Sequence, residues 1–303
     1  MVTAIRALAA RVLRRPFRAP PAVPGGAARL AVPHLEIHIT HECNLTCDGC
    51  LYYTNHRHTG TVPIAELQKS LAMWSRRLVP RSFAILGGEP CLHRDLAQIV
   101  YMAREHWPAP ATQVEVVTNG LLLHLHPDLP QALTATDTAL YISVHSTAAI
   151  SPRYGEMIAK SIDLAKRWEQ DHGIELEVAE QANWYRGYQG FGATVEPFED
   201  GDPQTSWDNC VTGQQCFQLW EDRIWKCAPL AYLGLQARTF LLSEKWKPYL
   251  TYQGLDPECT DTELVAFFDR KAEAVCGMCP SNPQAFTKGD PLLPLTFHRT
   301  RPA

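Results

Sequence analysis

From His34 to Glu180 the chain alternates short β-rich runs with longer stretches of helical period, and this alternation restricts the folds open to it. Strands are predicted over 35–40, 83–86, 114–118, 139–144 and 174–178, with helices over 63–77, 95–105, 128–134 and 153–168 between them. A helix between each pair of strands is a crossover, and crossovers make neighbouring strands parallel. Five such units suit an open or partial barrel better than a sandwich, so the expected fold is α/β.

The remaining segments divide the chain. Residues 1–32 carry Arg6, Arg11, Arg14, Arg15, Arg18 and Arg29 with no acid before Glu36, and Pro20, Pro21, Pro24, Gly25 and Gly26 break any helix, so they read as a basic tail. A short amphipathic helix on Ile5, Leu8, Val12 and Leu13 touching an anionic surface is the alternative. Residues 33–205 form the expected core domain, whose last part, 184–206, is rich in Gly, aromatics and acids and reads as a connection. Six of the ten cysteines follow, which marks 206–295 as a second, metal-binding region. The formal charge of -4 provides no basic field for nucleic acid. No apolar run is long enough to span a bilayer, and no signal peptide is recognisable at the N-terminus, so the reading is a cytoplasmic protein with reduced thiols and no membrane partner.

Cys43, Cys47 and Cys50 stand in C-x3-C-x2-C spacing on the loop after the first predicted strand. Loops at that end of barrel strands are where such folds place their chemistry. Three thiols leave one iron of a [4Fe–4S] cluster without a protein ligand, open to a bound molecule. The same spacing also suits a zinc knuckle completed by His41, His56 or His58.

The triplet, Gly87-Gly88-Glu89-Pro90 after the second strand, and the strand ends at Asn119 and Ser143 together resemble the radical S-adenosylmethionine (radical SAM) superfamily. The resemblance implies a partial (β/α)6 TIM-like barrel with a small C-terminal cysteine-rich β-hairpin/helix extension. It also implies a [4Fe–4S] cluster on Cys43, Cys47 and Cys50 that cleaves S-adenosylmethionine reductively to a 5′-deoxyadenosyl radical, with an external one-electron donor such as flavodoxin or ferredoxin. Gly87, Gly88 and Glu89 match the edge that meets the methionine moiety, where glycine lets the backbone approach and a carboxylate accepts from an ammonium. Asn119 and Ser143 match positions that contact ribose and carboxylate. One departure is Gly49, where the family often has an aromatic beside the adenine; Leu51 or Tyr52 is the substitute, unless the adenine is held otherwise.

Cys216 and Cys227 bracket a predicted hairpin turning near Glu221 and Asp222, and Cys276 and Cys279 form a later pair. These four are the expected ligands of an auxiliary [4Fe–4S] cluster, with Cys210 competing for one place; four-cysteine zinc is the other reading. The arrangement is similar to the superfamily's SPASM and twitch extensions. Cys91 and Cys259 are left over, either as buried thiols or as hydrogen donors to a substrate radical.

The resemblance implies hydrogen abstraction from a substrate, and an auxiliary cluster suits dehydrogenation of an alcohol, whereas a thiol donor suits epimerisation. A small molecule is preferred over a peptide, and the acidic run from Glu196 to Asp202 suggests an amino sugar. The alternatives are a peptide-modifying maturase and, in another class, a non-catalytic zinc-binding scaffold.

Overall fold

The computed structural model describes residues 29–180, 184–212, 214–287 and 289–292, so residues 1–28 of the expected tail lie outside the described residues. Strands β1 (Leu30–His38), β2 (Leu78–Leu86), β3 (Gln113–Thr118), β4 (Thr138–Val144), β5 (Leu176–Glu180), β6 (Phe217–Trp220) and β7 (Arg223–Trp225) form one sheet in the order β5-β4-β3-β2-β1-β6-β7. All neighbours from β5 to β6 are parallel, and β7 runs antiparallel to β6. Six parallel strands in an open sheet make the partial barrel.

The helices cover the outer face. Helices α1 (Ile64–Ser75), α2 (Leu96–His106), α3 (Leu129–Ala135) and α4 (Pro152–His172) follow strands β1 to β4 in turn. Leu35, Phe83, Val114, Ile37, Ile85, Val116 and Leu140 on the strands share one core with Leu71 and Trp74 of α1, Ile99 and Ala103 of α2, Leu133 of α3 and Ile158 and Ala165 of α4. Since side chains alternate along a strand, the residues between these apolar positions face the barrel interior. They are of a different kind: His34 and Glu36 on β1, Ser82 on β2, Glu115 on β3, Tyr141 and Ser143 on β4 and Gln218 on β6, all buried.

Helix α4 runs past its expected limits because its ends are well signalled. Ser151 accepts from Tyr154 N at 3.3 Å, Pro152 occupies the first turn, and Gly173 closes the C-terminus at φ 69. β1 and β2 also start earlier than predicted, at Leu30 and Leu78, because Pro33 and Pro80 break the apparent strand pattern without ending the strands.

The sixth parallel strand comes from the cysteine-flanked hairpin. β6 lies on β1, with Leu35 opposite Phe217 and Ile37 opposite Leu219. The hairpin turn places Glu221 at φ 50 and Asp222 at φ 61, the left-handed pair that two-residue hairpins need. Its tip is anchored to α1, where Trp74 Nε1 donates to Asp222 O at 2.8 Å and Lys69 pairs with the Asp222 carboxylate. The short helices α5 (Pro203–Asp208), α6 (Ala228–Ala231), α7 (Leu233–Thr239) and α8 (Lys247–Leu250), with α9 (Asp261–Asp269), complete the C-terminal part. Among the described residues no helix is long and apolar enough to cross a membrane.

Phe83 is fully buried against Trp107, ring centroids 4.4 Å apart. Phe83→Ala is expected to lower stability by about 3–5 kcal/mol, read as a shift of the denaturant midpoint; a loss below ~1 kcal/mol would mean that this contact is not central to the core.

Candidate functional site

The loop after β1 carries the first three cysteines into a cavity at the C-terminal ends of the strands. Cys43, Cys47, Cys50, Gly87, Gly88, Glu89, Asn119 and Ser143 all line it. Residues spread over a hundred positions of sequence thus converge because β1 to β4 are sequential neighbours in a parallel sheet, with all their following loops on one edge.

The glycines are required by a contact between two loops. Gly88 N donates to Thr40 O at 2.8 Å and Glu89 N to Glu42 O at 2.8 Å. A Cβ on Gly88 would lie 2.1 Å from Glu42 O and 3.1 Å from Cys43 Cβ, and one on Gly87 would lie 2.8 Å from Thr40 O. The close approach thus includes the cysteine loop's own backbone.

Glu89, fully buried, ties the next strand to this pair. Its carboxylate accepts from Cys91 N at 3.0 Å, from Asn119 N at 2.8 Å and from the Thr118 hydroxyl. Burial pushes its pKa above the ordinary carboxylate value despite these three bonds. Asn119 Nδ2 then donates to Asn44 Oδ1 at 2.8 Å, closing a circuit from the β3 end back to the cysteine loop.

The donor set fits an iron–sulfur cluster: three thiols from one loop face one cavity, and all ten cysteines are free of disulfides. Burial, then the neighbouring Cys47, drives the Cys43 thiol pKa well up, which a multivalent cation would offset. Of the three candidate fourth zinc ligands none lines the cavity; His56 and His58 both approach Gln236 Oε1 at 2.9 Å.

Gly49 sits at φ +66, where a Cβ would meet Phe286 at 2.9 Å, so the turn and its packing exclude the aromatic side chain. Of its two candidate substitutes Tyr52 lines the cavity, whereas Leu51 packs with Val211. Tyr141, His145 and Trp184 also line it and were not read from the sequence. His145 Nδ1 lies 3.2 Å from Cys47 Sγ, and its ring is 5.2 Å from that of Trp184. The signal for Tyr141 and His145 was period two on either side of Ser143.

A second cavity is lined by Cys210, Cys227, Cys276 and Cys279. Cys216 is not among that cavity's residues, and its thiol donates to Glu36 Oε1 at 3.1 Å inside the barrel, although Cys227 and Cys210 are close enough to help burial and Glu36 push its pKa up. Strand parity is the reason, since Cys216 shares a face with Gln218, which is in register with Glu36. A Cβ on Gly187 would touch Leu51 at 2.8 Å and Cys279 Sγ at 3.8 Å, so the second cysteine group abuts the first loop.

Neither hydrogen-donor candidate lines the first cavity. Cys91 is packed behind Glu89, 3.6 Å from Thr118 Oγ1, and Cys259 accepts from Arg77 Nη1 at 3.1 Å beside the start of β2, the opposite end of the barrel. The acidic run also serves elsewhere: Lys245 pairs with Glu199 at 2.9 Å and Glu196 at 3.6 Å, and Asp202 caps α5 through Thr205 N at 2.8 Å. None of these acids lines the cavity.

Gly88→Ala is expected to displace the cysteine loop, so that anaerobic iron–sulfide reconstitution yields protein lacking about four irons per chain by iron assay; a full iron complement would show that the loop tolerates the Cβ. Glu89→Gln places an amide opposite three donors and is expected to cost about 1–3 kcal/mol in chemical unfolding.

Residues 37–169 match the profile of the Radical SAM superfamily. The chain is 32% identical over 113 residues to the S-adenosylmethionine-dependent nucleotide dehydratase of Selenomonas ruminantium, a match covering 37% of this chain and 39% of that protein. It is 37% identical over 124 residues to the GTP 3′,8-cyclase of Pectobacterium atrosepticum, covering 38% of this chain and 35% of that protein. The matches therefore span well under half the length of these relatives. Streptococcus suis SuiB bound to S-adenosylmethionine aligns with a TM-score of 0.39 at 19% identity, covering 50% of this chain and 34% of that one. The profile match assigns residues 37–169, which carry most of the partial barrel and the cysteine loop already described, to the Radical SAM superfamily.

Proposed function

We propose that the chain is a radical SAM enzyme in which Cys43, Cys47 and Cys50 hold the [4Fe–4S] cluster that binds S-adenosylmethionine, and Cys210, Cys227, Cys276 and Cys279 hold an auxiliary [4Fe–4S] cluster. The observation that carries this reading is the convergence of the three cysteines, Gly87 to Glu89, Asn119 and Ser143 on one cavity. When bound, the two groups supply single electrons and a hydrogen-abstracting carbon radical.

The chain's own residues bind and orient. Gly87 and Gly88 let the end of β2 close against the cysteine loop, which brings their backbone to the cavity edge where a ligand's polar groups reach it. Glu89, held by three donors, offers its remaining lone pair to an ammonium group. Asn119 and Ser143 offer polar atoms for ribose or carboxylate, and Tyr52 and Trp184 provide aromatic walls that exclude water from a reactive radical. The substrate is a small molecule held at the interior side, near Tyr141 and Glu36, and an external one-electron donor such as flavodoxin or ferredoxin serves the first cluster. The outcome is dehydrogenation: after hydrogen abstraction the substrate would give up a proton to solvent and an electron to the auxiliary cluster that Cys210, Cys227, Cys276 and Cys279 would hold. Neither Cys91, screened behind Glu89 and Thr118, nor Cys259, at the opposite end of the barrel, lines the cavity, which favours this over a thiol-quenched epimerisation.

Anaerobically reconstituted protein given S-adenosylmethionine and a strong reductant is expected to form 5′-deoxyadenosine, and its absence by chromatography would overturn the reading. Iron counting tests the ligand sets separately. The Cys43/Cys47/Cys50 triple alanine variant should retain about four irons, whereas Cys216→Ala should retain about eight and Cys210→Ala fewer.

A further inference from the structure

Cys216, which does not line the second cavity, has other close company. His34 Nε2 lies 3.0 Å from Glu36 Oε1, and Cys216 Sγ lies 3.1 Å from the same oxygen. The three donor atoms fall within 4.8 Å of one another, and all three residues are buried. Each is oriented from behind. His34 Nδ1 is 3.0 Å from Ser82 Oγ, which donates to Glu115 Oε1 at 2.9 Å. Glu36 Oε2 accepts from Tyr52 OH at 2.7 Å and from Gln218 Nε2 at 2.6 Å, and Gln218 Oε1 accepts from Tyr232 OH at 3.0 Å.

The direction of these bonds leaves a charge requirement. The Ser82 hydroxyl spends its one proton on Glu115, so Ser82 Oγ accepts from His34 and the imidazole proton is on Nδ1. A neutral His34 then aims the Nε2 lone pair at a carboxylate oxygen 3.0 Å away, which is repulsive unless a positive charge lies between them. That charge is either a second imidazole proton or a metal ion.

We propose that His34, Glu36 and Cys216 form a mononuclear site for a borderline divalent ion, Zn2+, distinct from both cysteine groups. Nitrogen, carboxylate oxygen and thiolate sulfur are the donors zinc takes. Three protein ligands with a second layer of hydrogen bonds are the pattern of sites that keep a fourth position open. Glu36 and Tyr52 also line the first cavity, so the open position is available to water or to an oxygen or nitrogen of the bound substrate. The charges balance: an imidazolium, a carboxylate and a thiol exchange two protons for one divalent ion, and the site remains neutral.

The test uses the full chain, reconstituted anaerobically so that iron assay confirms both cysteine groups are filled, then given one equivalent of Zn2+ and desalted. One zinc per chain should remain, and its X-ray absorption fine structure should show about one sulfur at ~2.3 Å with two or three nitrogen or oxygen neighbours at ~2.0–2.2 Å. Cys216→Ala should remove the sulfur shell, and Cys216→Ala and His34→Gln should each weaken zinc binding at least tenfold at unchanged iron content. No retained zinc, a four-sulfur shell, or equal retention in both variants would overturn the proposal. Iron content and 5′-deoxyadenosine formation read the radical SAM assignment independently, so either proposal can fail alone.

Discussion

The contact between Gly87-Gly88 and the backbone of Thr40 to Glu42 holds the rest of the site in place. Two hydrogen bonds of 2.8 Å lock the end of β2 onto the cysteine loop, and the space between them admits no Cβ. Because Glu89 leaves this contact with its carboxylate facing inward, the same turn captures Thr118 and Asn119 from β3. Asn119 returns to Asn44. The loops after three successive strands therefore form one hydrogen-bonded unit, which presents Cys43, Cys47 and Cys50 to a shared space without help from secondary structure of their own. Preorganisation of this kind suits the radical chemistry proposed above, in which water and misplaced hydrogen atoms would have to be kept out.

The two faces of the sheet divide the work of the molecule. Outward residues such as Ile37, Ile85 and Val116 join the helices in an apolar core. Inward residues form a polar interior centred on Glu36, which accepts from Tyr52, Gln218 and Cys216 as well as facing His34. Buried polar groups are costly unless paired, so so complete a network on the floor of a cavity indicates a function-related arrangement and not a filler core. The hairpin contributes to both faces, since β6 extends the sheet while Cys216 and Gln218 join the interior network.

Much of this was legible in the residues themselves. The strand and helix order followed from hydrophobic period, and the positions at Cys43, Cys47, Cys50, Gly87, Gly88, Glu89, Asn119 and Ser143 each fell at the end of a predicted strand. Parallel topology alone brings such positions to one edge, so their convergence needed no further information. Strand starts were less legible: Pro33 and Pro80 mimic a break, because a proline's missing N–H is a fault only where the neighbouring strand requires that bond.

The linear chain determined which chemistry is present: thiols in cluster spacing, a glycine pair with a carboxylate, and a parallel barrel to display them. Only the tertiary structure decided which cysteines share a cavity. Spacing favoured Cys216 with Cys210 as its competitor, whereas the register of β6 against β1 turns Cys216 toward Glu36 and Cys210 lines one cavity with Cys227, Cys276 and Cys279. A strand's side chains alternate by parity, and which parity faces the interior is set by the neighbouring strand's position. That position depends on a pairing between residues some 180 apart, as in the contact of Cys216 with Glu36.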